Sequence, residues 1–378
     1  MIKKEYMRIG IDARMYGPKQ GGLGRYIQQL ILNLEKIDSV NEYVIFLRKE
    51  NWDEFTPTAP NFTKKLADIH WYGWREQLLL PKILNTAKVD LMHFPHWNVP
   101  FFYRQPFVAT IHDLLLLHYP TRAASTLGPI SYFFKNIAFK FILNHTAKSA
   151  KQIITPCEFV KNDIVKTLKI NPEKIAVTLL APTLSVGHGT LSVPPDNLPT
   201  QPYVLYVGVA FPHKNLPGLI RAWKIFTEKY DNSYRLVLVG KENYFYRQLQ
   251  NHPLVKELKN KPIFTGFVPD EQLAHFYQNA SLYIFPSLYE GFGVPPLEAM
   301  QYNIPVASSN RTCLPEILKD AVVYFDPENY EAIAETIKHA LTDENLRKNL
   351  IIKGQNLLKN YSWDATTKQT LKIYQNWG

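Results

Sequence analysis

Short apolar runs alternate along the chain with stretches whose apolar residues recur every three to four positions. The first run, at 8–13, leads through a glycine-dense loop at 17–24 into a helical stretch at 26–37. Further strands are predicted at 43–47, 91–94, 107–111 and 152–155. Strands separated in this way predict an open α/β domain built from β-α-β crossovers.

A second series of the same kind follows a proline-rich stretch. Residues 187–202 contain four prolines and one charged residue, Asp196, which is typical of an extended connection. Strands are then predicted at 203–208, 235–240, 262–267, 282–286, 306–308 and 322–325. We therefore expect an N-terminal domain at 1–186, a linker at 187–202, a C-terminal domain at 203–360, and a helix at 361–378 that can pack on either domain or cross back to the first.

Two Rossmann-like, doubly wound domains joined by a linker are expected to face each other across a cleft. In open α/β sheets, ligands bind outside the carboxyl ends of the strands. The residues that follow strand ends are therefore the first place to look for chemistry.

Composition supports large cores and shows an uneven distribution of positive charge. The chain is 46% hydrophobic and 20% charged, which excludes a disordered or fibrous protein. Residues 1–186 hold 24 Lys and Arg against 15 Asp and Glu, leaving 19 against 18 for the remainder. This asymmetry predicts an anionic partner for the N-terminal half: nucleic acid, phospholipid headgroups or a phosphate-bearing substrate.

Cysteine usage and hydropathy restrict the setting of the protein. Cys157 and Cys313 stand far apart, without a second thiol at metal-binding spacing, so neither a disulfide nor a zinc site is predicted. No run approaches the roughly 18 uncharged apolar residues of a membrane span. We expect a cytoplasmic protein, soluble or peripheral on the inner face of the membrane.

The segment 286–300 carries the densest chemical signal. Gly291 and Gly293 permit close backbone approach between a strand and a helix, and the amides of a helix start are suited to phosphate. Glu298 is predicted in the first helical turn, where its oxygens can accept from a diol such as ribose, and Glu290 lies in the loop ahead. The alternative is a strand-turn-helix with two solvated carboxylates.

A second candidate follows the strand at 203–208. Lys214 stands where a helix begins, immediately before Asn215, the predicted N-cap. A lysine there opposes the helix dipole, and an anion held between its ammonium and the helix amides would explain it. A flexible surface lysine is the other interpretation.

The N-terminal domain offers weaker candidates in its glycine loop and at strand ends. A glycine cluster can cradle a phosphate or admit an acceptor, and a polar pair after a strand can face a ligand. A lone histidine and aspartate pair is more often structural. The candidates are Gly22 and Arg25 in the glycine loop, His93 and His96 around one strand end, and His112 with Asp113 at another.

One further segment, at 130–142, is rich in aromatic residues and carries Lys135 and Lys140. Such a helix can lie on a membrane surface. Because its apolar residues cover most of the helix circumference, a buried packing helix is an equal alternative.

Together these segments resemble the retaining nucleotide-sugar glycosyltransferases of family 4, which share the two-domain GT-B fold. The stretch from Glu290 to Glu298 is the most specific match, and the N-terminal glycine loop is the least specific. The resemblance spans nearly the whole chain. It is carried by GIDAR and GGLGRY near the start, TIHDL at 110–114, YVG at 206–208, PHKNL at 212–216, GFV at 266–268 and LPE at 314–316.

The resemblance implies a role for each matching residue. It assigns Glu298 to the ribose hydroxyls, Glu290 to the donor sugar and His112 to the reacting sugar carbon. The implied catalytic set is His112, Glu290 and Lys214. The implied donor-binding set is Gly22, Lys214, Phe267, Val268, Glu290, Gly291, Phe292, Gly293, Val294 and Glu298, and the acceptor-side set is Arg25, His93, His96 and Asp113.

The chain departs from the family pattern beside Lys214. Family members usually carry an arginine there, whereas this chain has Val209 and His213. Phosphate stabilisation is then expected to depend on Lys214 and helix amides, with help from Arg14 or Arg25.

The resemblance also implies retaining hexosyl transfer without a metal or other cofactor, by front-side attack through an oxocarbenium-like state. No carboxylate cluster for Mg²⁺ and no obvious covalent nucleophile are apparent in the sequence. GDP-mannose is the first expectation for the donor, followed by UDP- and dTDP-sugars. The expected acceptor is a saccharide or lipid-linked saccharide of polysaccharide or lipopolysaccharide synthesis, at an anionic membrane surface.

Two alternatives stay open at the level of sequence. A GT-B sugar-nucleotide epimerase would use the same nucleotide pocket without an acceptor. A non-catalytic anion-binding protein would explain the basic half. Nucleic acid is not expected as the partner because the positive charges are scattered and no known binding module is apparent.

Overall fold

The computed structural model describes residues 6–119, 128–183, 195 and 198–377. The chain forms two compact units, one of Met1–Ala181 with Ser362–Gly378 and one of Pro182–Tyr361. Each is an α/β domain around a parallel sheet. Most of the predicted linker, 187–202, lies outside the described residues.

The first unit contains a parallel sheet that is seven strands wide within the described residues. Its strands are β1 Arg8–Asp12, β2 Glu42–Leu47, β3 Phe62–Leu66, β4 Leu91–Phe94, β5 Phe107–Thr110, β6 Gln152–Thr155 and β7 Ile175–Val177. They lie in the order β3-β2-β1-β4-β5-β6-β7. Ile9 of β1 is paired with Tyr43 on one side and Leu91 on the other, so the strand order reverses between β1 and β4. Such a reversal is where open α/β sheets bind ligands.

Helices lie between the strands of this sheet along the chain. They are α1 Gly21–Ile37, α2 Trp74–Asn85, α3 Leu115–His118, α4 Pro129–Ser149 and α5 Glu158–Leu168. In α1, the buried residues Ile27, Leu30, Ile31 and Leu34 recur at helical spacing and form one stripe.

The predicted glycine loop is shorter than expected because α1 begins at Gly21. Gly24 already packs against the carbonyl of Gly17, and a Cβ on Gly24 would lie 2.0 Å from that oxygen. This glycine therefore serves a close approach of backbone to backbone inside a helix, and only Gly17–Gln20 remain as loop and 3₁₀ turn.

The second unit repeats the architecture with a parallel sheet of six strands among the described residues. The strands are β8 Tyr203–Val207, β9 Arg235–Val239, β10 Ile263–Gly266, β11 Leu282–Phe285, β12 Val306–Ser309 and β13 Val323–Phe325, in the order β10-β9-β8-β11-β12-β13. The order reverses between β8 and β11, which are hydrogen-bonded neighbours. The helices are α6 Leu216–Lys229, α7 Tyr244–Gln250, α8 Pro253–Glu257, α9 Asp270–Gln278, α10 Val294–Gln301, α11 Leu314–Leu318, α12 Tyr330–Thr342 and α13 Glu344–Leu358.

After the second unit the chain returns to the first, as helix α14, Trp363–Gln375. The ring of Trp363 lies 6.1 Å from that of Tyr26 on α1. Thr366 Oγ1 donates a hydrogen bond to the carbonyl of Leu179. Tyr374 is fully buried. The C-terminal helix is therefore part of the core of the first unit.

The predicted strands are confirmed to within one residue at each end, and the sequence analysis missed only β3 and β7 among the described strands. Both lie at the edges of the first sheet. Within the described ranges, no helix is long and apolar enough to cross a membrane.

Candidate functional site

The loops that follow β8 and β11 carry the two strongest candidates of the second unit. Because β8 and β11 flank the reversal of strand order, their carboxyl ends lie side by side. Lys214 ends a 3₁₀ turn, Pro212–Lys214, and Glu290 lies in the loop after β11. The amide of Leu288 donates to the carbonyl of His213 at 2.7 Å, which ties the two loops together.

Lys214 and Glu290 form a nearly buried ion pair. Lys214 Nζ lies 2.5 Å from Glu290 Oε1, and their side chains are 16% and 10% exposed. The same ammonium lies 5.6 Å from the centre of the Phe285 ring. The backbone amide of Glu290 donates to Thr312 Oγ1 at 3.1 Å, which holds the backbone that carries this carboxylate. The functional interpretation of Lys214 as part of a charged site therefore fits the geometry better than a flexible surface lysine.

His213 takes the place of the arginine expected from the resemblance. Its burial lowers its pKa to about 4, with the neighbouring Lys214 acting in the same direction. The imidazole is therefore neutral near pH 7 and adds no charge beside Lys214.

Helix α10 begins directly after this loop. Its N-cap, Gly293, has φ 88°, a left-handed conformation that favours glycine. Pro295 and Pro296 follow Val294, so two of the first three helical positions have no N–H. Among these three positions, the amide of Val294 is the donor that an anion at this helix start can use.

Glu298 is one turn further along α10 than expected. The helix starts at Val294, which places Glu298 at its fifth position and in the second turn. The side chain is buried: Oε1 accepts from Thr183 Oγ1 at 2.8 Å, and Oε2 accepts from the Tyr277 hydroxyl at 3.4 Å. The carboxylate thus has two hydroxyl donors, the kind of group that a ribose would also present.

Two other predicted residues of the second unit lie at the carboxyl end of β10. Gly266 has φ 74°, and Phe267, directly after it, is 67% exposed, whereas Val268 is buried. Asn215 is confirmed as the N-cap residue of α6, although its side chain makes no capping hydrogen bond. It adopts a left-handed conformation, and its amide donates instead to the carbonyl of Pro327 at 2.7 Å.

In the first unit, His112 follows β5 and is held by the loop after β4. Its Nε2 donates to the carbonyl of Pro95 at 3.1 Å, which leaves Nδ1 as an acceptor. The ring contacts Tyr26 edge-on, with 4.7 Å between centroids. Burial lowers the pKa of His112 to about 4, so the imidazole is neutral near pH 7.

His93 does not fit its predicted role on the acceptor side. It is completely buried within β4, and both ring nitrogens are satisfied: Nδ1 lies 2.6 Å from the Tyr374 hydroxyl and Nε2 lies 2.8 Å from Thr110 Oγ1. Thr110 Oγ1 in turn lies 3.1 Å from the hydroxyl of Tyr26. These contacts make His93 a core residue, because no part of its ring reaches the surface.

Arg14 is likewise committed to the protein and does not offer the phosphate contact expected of it. The side chain is 4% exposed and forms ion pairs with Asp12 at 2.8 Å and with Glu76 at 2.7 Å. Glu76 also accepts from Asn98 Nδ2 at 2.7 Å and from the amide of Tyr72 at 2.8 Å. The network joins the end of β1 to the start of α2 and the loop after β4.

The remaining candidates of the first unit are Gly22, Arg25, Asp113 and His96. Gly22 and Arg25 are both in the first turns of α1, Gly22 exposed and Arg25 half-buried. Asp113 Oδ1 accepts from the Leu115 amide at 2.9 Å and so serves the start of α3. Burial lowers the pKa of His96 to about 3, and its ring packs 4.8 Å from that of Trp97.

Two family models match the chain, one in each unit. The model described as Glycosyltransferase Family 4 matches residues 20–179, and the model described as Glycosyl transferases group 1 matches residues 193–357. The chain belongs to this glycosyltransferase family. Its two units are the two Rossmann-like domains of the GT-B fold.

Relatives of the glycosyltransferase align along nearly its whole length. O-antigen chain mannosyltransferase B of Escherichia coli is 28% identical over 94% of this chain and 96% of its own. An O-antigen chain mannosyltransferase of Salmonella typhimurium is 27% identical over 87% of this chain and 90% of its own. Among solved structures, sucrose-phosphate synthase from Thermosynechococcus elongatus superposes with a TM-score of 0.77 at 18% identity, over 98% of both chains.

Several residues of the glycosyltransferase's site regions could not be found by sequence reasoning. Thr183 binds Glu298 across 115 positions, and Glu76 binds Arg14 across 62. A threonine or a glutamate carries no local signal of a partner so far away in the sequence. These residues become visible only when the fold brings distant segments together.

Proposed function

We propose that this glycosyltransferase transfers mannose from GDP-mannose to a saccharide acceptor carried on a lipid, with retention of the anomeric configuration. The observation that carries the proposal is the buried Lys214–Glu290 pair at the reversal of the second sheet, next to the start of α10. The choice of mannose is supported by the names of the two O-antigen mannosyltransferases that align along nearly the whole chain.

The leaving group determines what the second unit must supply. As the glycosidic bond breaks, negative charge develops on the departing nucleoside diphosphate. Lys214 Nζ and the Val294 amide are fixed beforehand at the end of one sheet, with the positive end of the α10 dipole behind them. Donors preorganised where charge develops are the strongest single contribution to many enzymatic rate enhancements.

Two carboxylates would orient the rest of the donor. Glu298 already accepts two hydroxyl hydrogen bonds and would accept those of the ribose. Glu290 would exchange part of its contact with Lys214 for hydroxyls of the sugar. The exposed ring of Phe267 offers an aromatic surface to the nucleobase.

A thermal-shift screen of GDP, UDP, dTDP and their sugars tests the donor assignment. A ligand at 100 times its dissociation constant stabilises the folded state by about 2.7 kcal/mol. Stabilisation by GDP and GDP-mannose, lost in Glu298→Ala and kept in the exposed control Glu257→Ala, is expected. Selective stabilisation by another nucleotide would replace GDP, and no response to any of them would contradict the donor site itself.

Product analysis tests the stereochemistry and the independence from metal. The family resemblance assigns neutral His112 to the reacting sugar, and an α-linked product from an α-linked donor is expected. Activity is expected to persist in EDTA because Lys214 and the helix amide provide the positive charge. A β-linked product by NMR, or activity that returns only with Mg²⁺, would refute the corresponding part of the proposal.

Peripheral membrane binding is proposed through α4. Its residues Phe133, Phe134, Ile137 and Phe141 are between 51% and 64% exposed and form one face of the helix. The alternative of a buried packing helix is therefore wrong for this face. Lys135 and Lys140 are exposed on the same helix, and each basic residue near an anionic bilayer contributes about 1 kcal/mol.

Liposome sedimentation tests this contact. Lys135→Glu with Lys140→Glu is expected to abolish binding to vesicles that contain anionic phospholipid. The charge-matched control, Lys256→Glu with Lys261→Glu, changes exposed lysines of the second unit and is expected to bind normally. Equal binding by both double variants would argue against α4 as the membrane contact.

A further inference from the structure

Helix α4 is apolar around much of its circumference. Of the exposed residues just described, Phe133, Phe134 and Ile137 lie outside a groove of about 550 Å³ in the first unit, whereas Phe141 is one of its lining residues. This volume is suited to a small ligand. The groove lies between α4, the start of α2 and the loop after β4. Its lining includes Tyr72, Trp74, Trp97, Lys135, Phe139 and Ile142.

The aromatic wall of this groove is preformed. The ring of Trp97 stacks on Tyr72 with 5.6 Å between centroids and meets Phe139 edge-on at 4.7 Å. Tyr72 has φ 63°, and its amide is held by Glu76 Oε2 at 2.8 Å. A wall whose shape is set before binding reduces the ordering cost of taking up a ligand.

The base of the groove is anchored by buried charge. Asn98, one of the lining residues, donates to Glu76 at 2.7 Å, and Glu76 is paired with Arg14. This explains a costly buried carboxylate that no step of the proposed reaction uses. Glu76 acts as a positioning residue that fixes the start of α2 and the loop after β4 in one arrangement.

The chemistry of the lining selects the class of ligand. Aromatic and aliphatic side chains form most of the lining, and Lys135 adds a cation to it. An amphiphile with a hydrocarbon chain and a phosphate matches both features. The excess of Lys and Arg over Asp and Glu in residues 1–186 also favours a negatively charged ligand. The loop after β4, whose Pro95 carbonyl holds His112, contributes Trp97 and Asn98 to the lining.

We propose that this groove takes up the hydrocarbon chain of the phosphate-linked lipid that carries the acceptor saccharide. The proposal rests on the proposed function and adds to it the place where the lipid binds. Membrane contact through Phe133, Phe134 and Ile137 and chain binding in the groove then use different apolar residues of α4, with Lys135 common to both.

Calorimetric titration with farnesyl monophosphate, a short prenyl phosphate used below its micelle concentration, tests the groove. One molecule is expected to bind per chain. Ala138→Trp places a large ring on a groove-lining position of α4 that is exposed. This substitution is expected to weaken binding at least about tenfold, or 1.4 kcal/mol.

The matched control is Phe134→Ser, at an exposed position of α4 that does not line the groove. It is expected to bind farnesyl monophosphate as the unaltered protein does while losing affinity for vesicles. Failure of farnesyl monophosphate to bind, or loss of binding in Phe134→Ser but not in Ala138→Trp, would overturn the proposal. Equally tight binding of lysophosphatidic acid would assign the groove to membrane lipid and overturn it as well.

Nucleotide binding separates this proposal from the proposed function. GDP stabilisation is measured on every variant, because Lys214, Glu290 and Glu298 lie in the other unit. If GDP stabilises all variants and farnesyl monophosphate binds none, the groove proposal alone has failed. If no nucleoside diphosphate binds the unaltered protein, the proposed function has failed whatever the groove takes up.

Discussion

At the scale of single residues, the ion pair between Lys214 and Glu290 is the contact that the proposed donor would have to alter. Its two nearly buried charges neutralise each other. In the proposed donor site, a diphosphate would bring negative charge to the same ammonium, and Lys214 would be shared between two anions. Glu290 would then be free to accept hydrogen bonds from the sugar, so we expect phosphate binding and sugar binding to be coupled.

Replacing Lys214 separates its structural and chemical contributions. Lys214→Met leaves Glu290 as an unpaired, nearly buried carboxylate, and we expect a loss of about 3 kcal/mol in stability. Transfer should fall by about 10² to 10³ because the leaving group loses its cation. Chemical denaturation and the rate of nucleotide release measure the two effects.

The control for this substitution is the double variant Lys214→Met with Glu290→Gln. It removes both charges, so stability should largely recover while activity stays low. Recovery of activity together with stability would show that Lys214 acts only through the fold.

Gly293 and Gly22 form a second contrast. A Cβ on Gly293 would lie 2.8 Å from Leu314 Cδ2, in a left-handed backbone, so Gly293→Ala should destabilise the second unit by about 1–2 kcal/mol and weaken nucleotide binding. A Cβ on Gly22 would meet nothing within 4 Å in α1, so Gly22→Ala should raise stability by about 0.5–1 kcal/mol. Thermal unfolding with and without nucleotide measures both, and equal midpoints for the two variants would contradict this account.

The strand before the loop at 286–293 and the helix after it were predicted from the sequence, but the position of every side chain was not. Glu298 was assigned to the wrong turn because the helix starts at Val294, a β-branched residue that carries no start signal of its own. His93 was taken as an acceptor-side candidate, because its buried partner, Tyr374, lies 281 positions away and leaves no local signal. Local sequence shows which residue types are present, and distant pairing decides which of them are buried.

At the scale of elements, periodicity identified the central strands and missed the edge strands β3 and β7. Central strands of a parallel sheet are buried on both faces and therefore read as continuous apolar runs. β3 has the sequence FTKKL, in which two lysines interrupt the apolar pattern, and β7 has only three residues. An edge strand is paired on one side only and needs fewer apolar residues than a central strand. It therefore leaves a weaker apolar pattern in the sequence.

Helix α14 supplies a buried hydroxyl to the first unit, and its removal should be measurable. Tyr374→Phe leaves His93 Nδ1 without its partner in the core, and we expect a loss of about 1–3 kcal/mol in stability. The control Tyr244→Phe removes a hydroxyl from a tyrosine that is 52% exposed and should be close to neutral. Urea unfolding of the two variants tests this expectation, and equal midpoints would show that the His93 contact contributes nothing net.

At the scale of the whole molecule, buried neutral histidines make stability depend on pH. Burial lowers the pKa of His93 and His96 to about 3 and those of His112 and His213 to about 4, from 6.5. Between pH 6.5 and about 4 the unfolded chain binds protons that the folded chain does not. Stability is therefore fully present above pH 6.5 and falls as the pH decreases, by up to about 1.4 kcal/mol per unit for each histidine.

Three of the four histidines belong to the first unit, so that unit should be the more acid-sensitive one. Unfolding midpoints measured from pH 7 to pH 4.5 are expected to fall, less steeply in His93→Gln than in the control His70→Gln, which alters an exposed histidine. Identical slopes for the two variants would mean that His93 is not the proton-linked group.

The division of the chain into two units also affects the order in which the units can fold during synthesis. The second unit is one continuous stretch, whereas the first needs α14, which is translated after every residue of the second. During synthesis the second unit can fold as soon as it leaves the ribosome, while the first waits with the sheet-side surface for α14 uncovered. A premature stop codon just before α14 would therefore leave the second unit able to fold, but would deprive the first unit of the helix that completes its core.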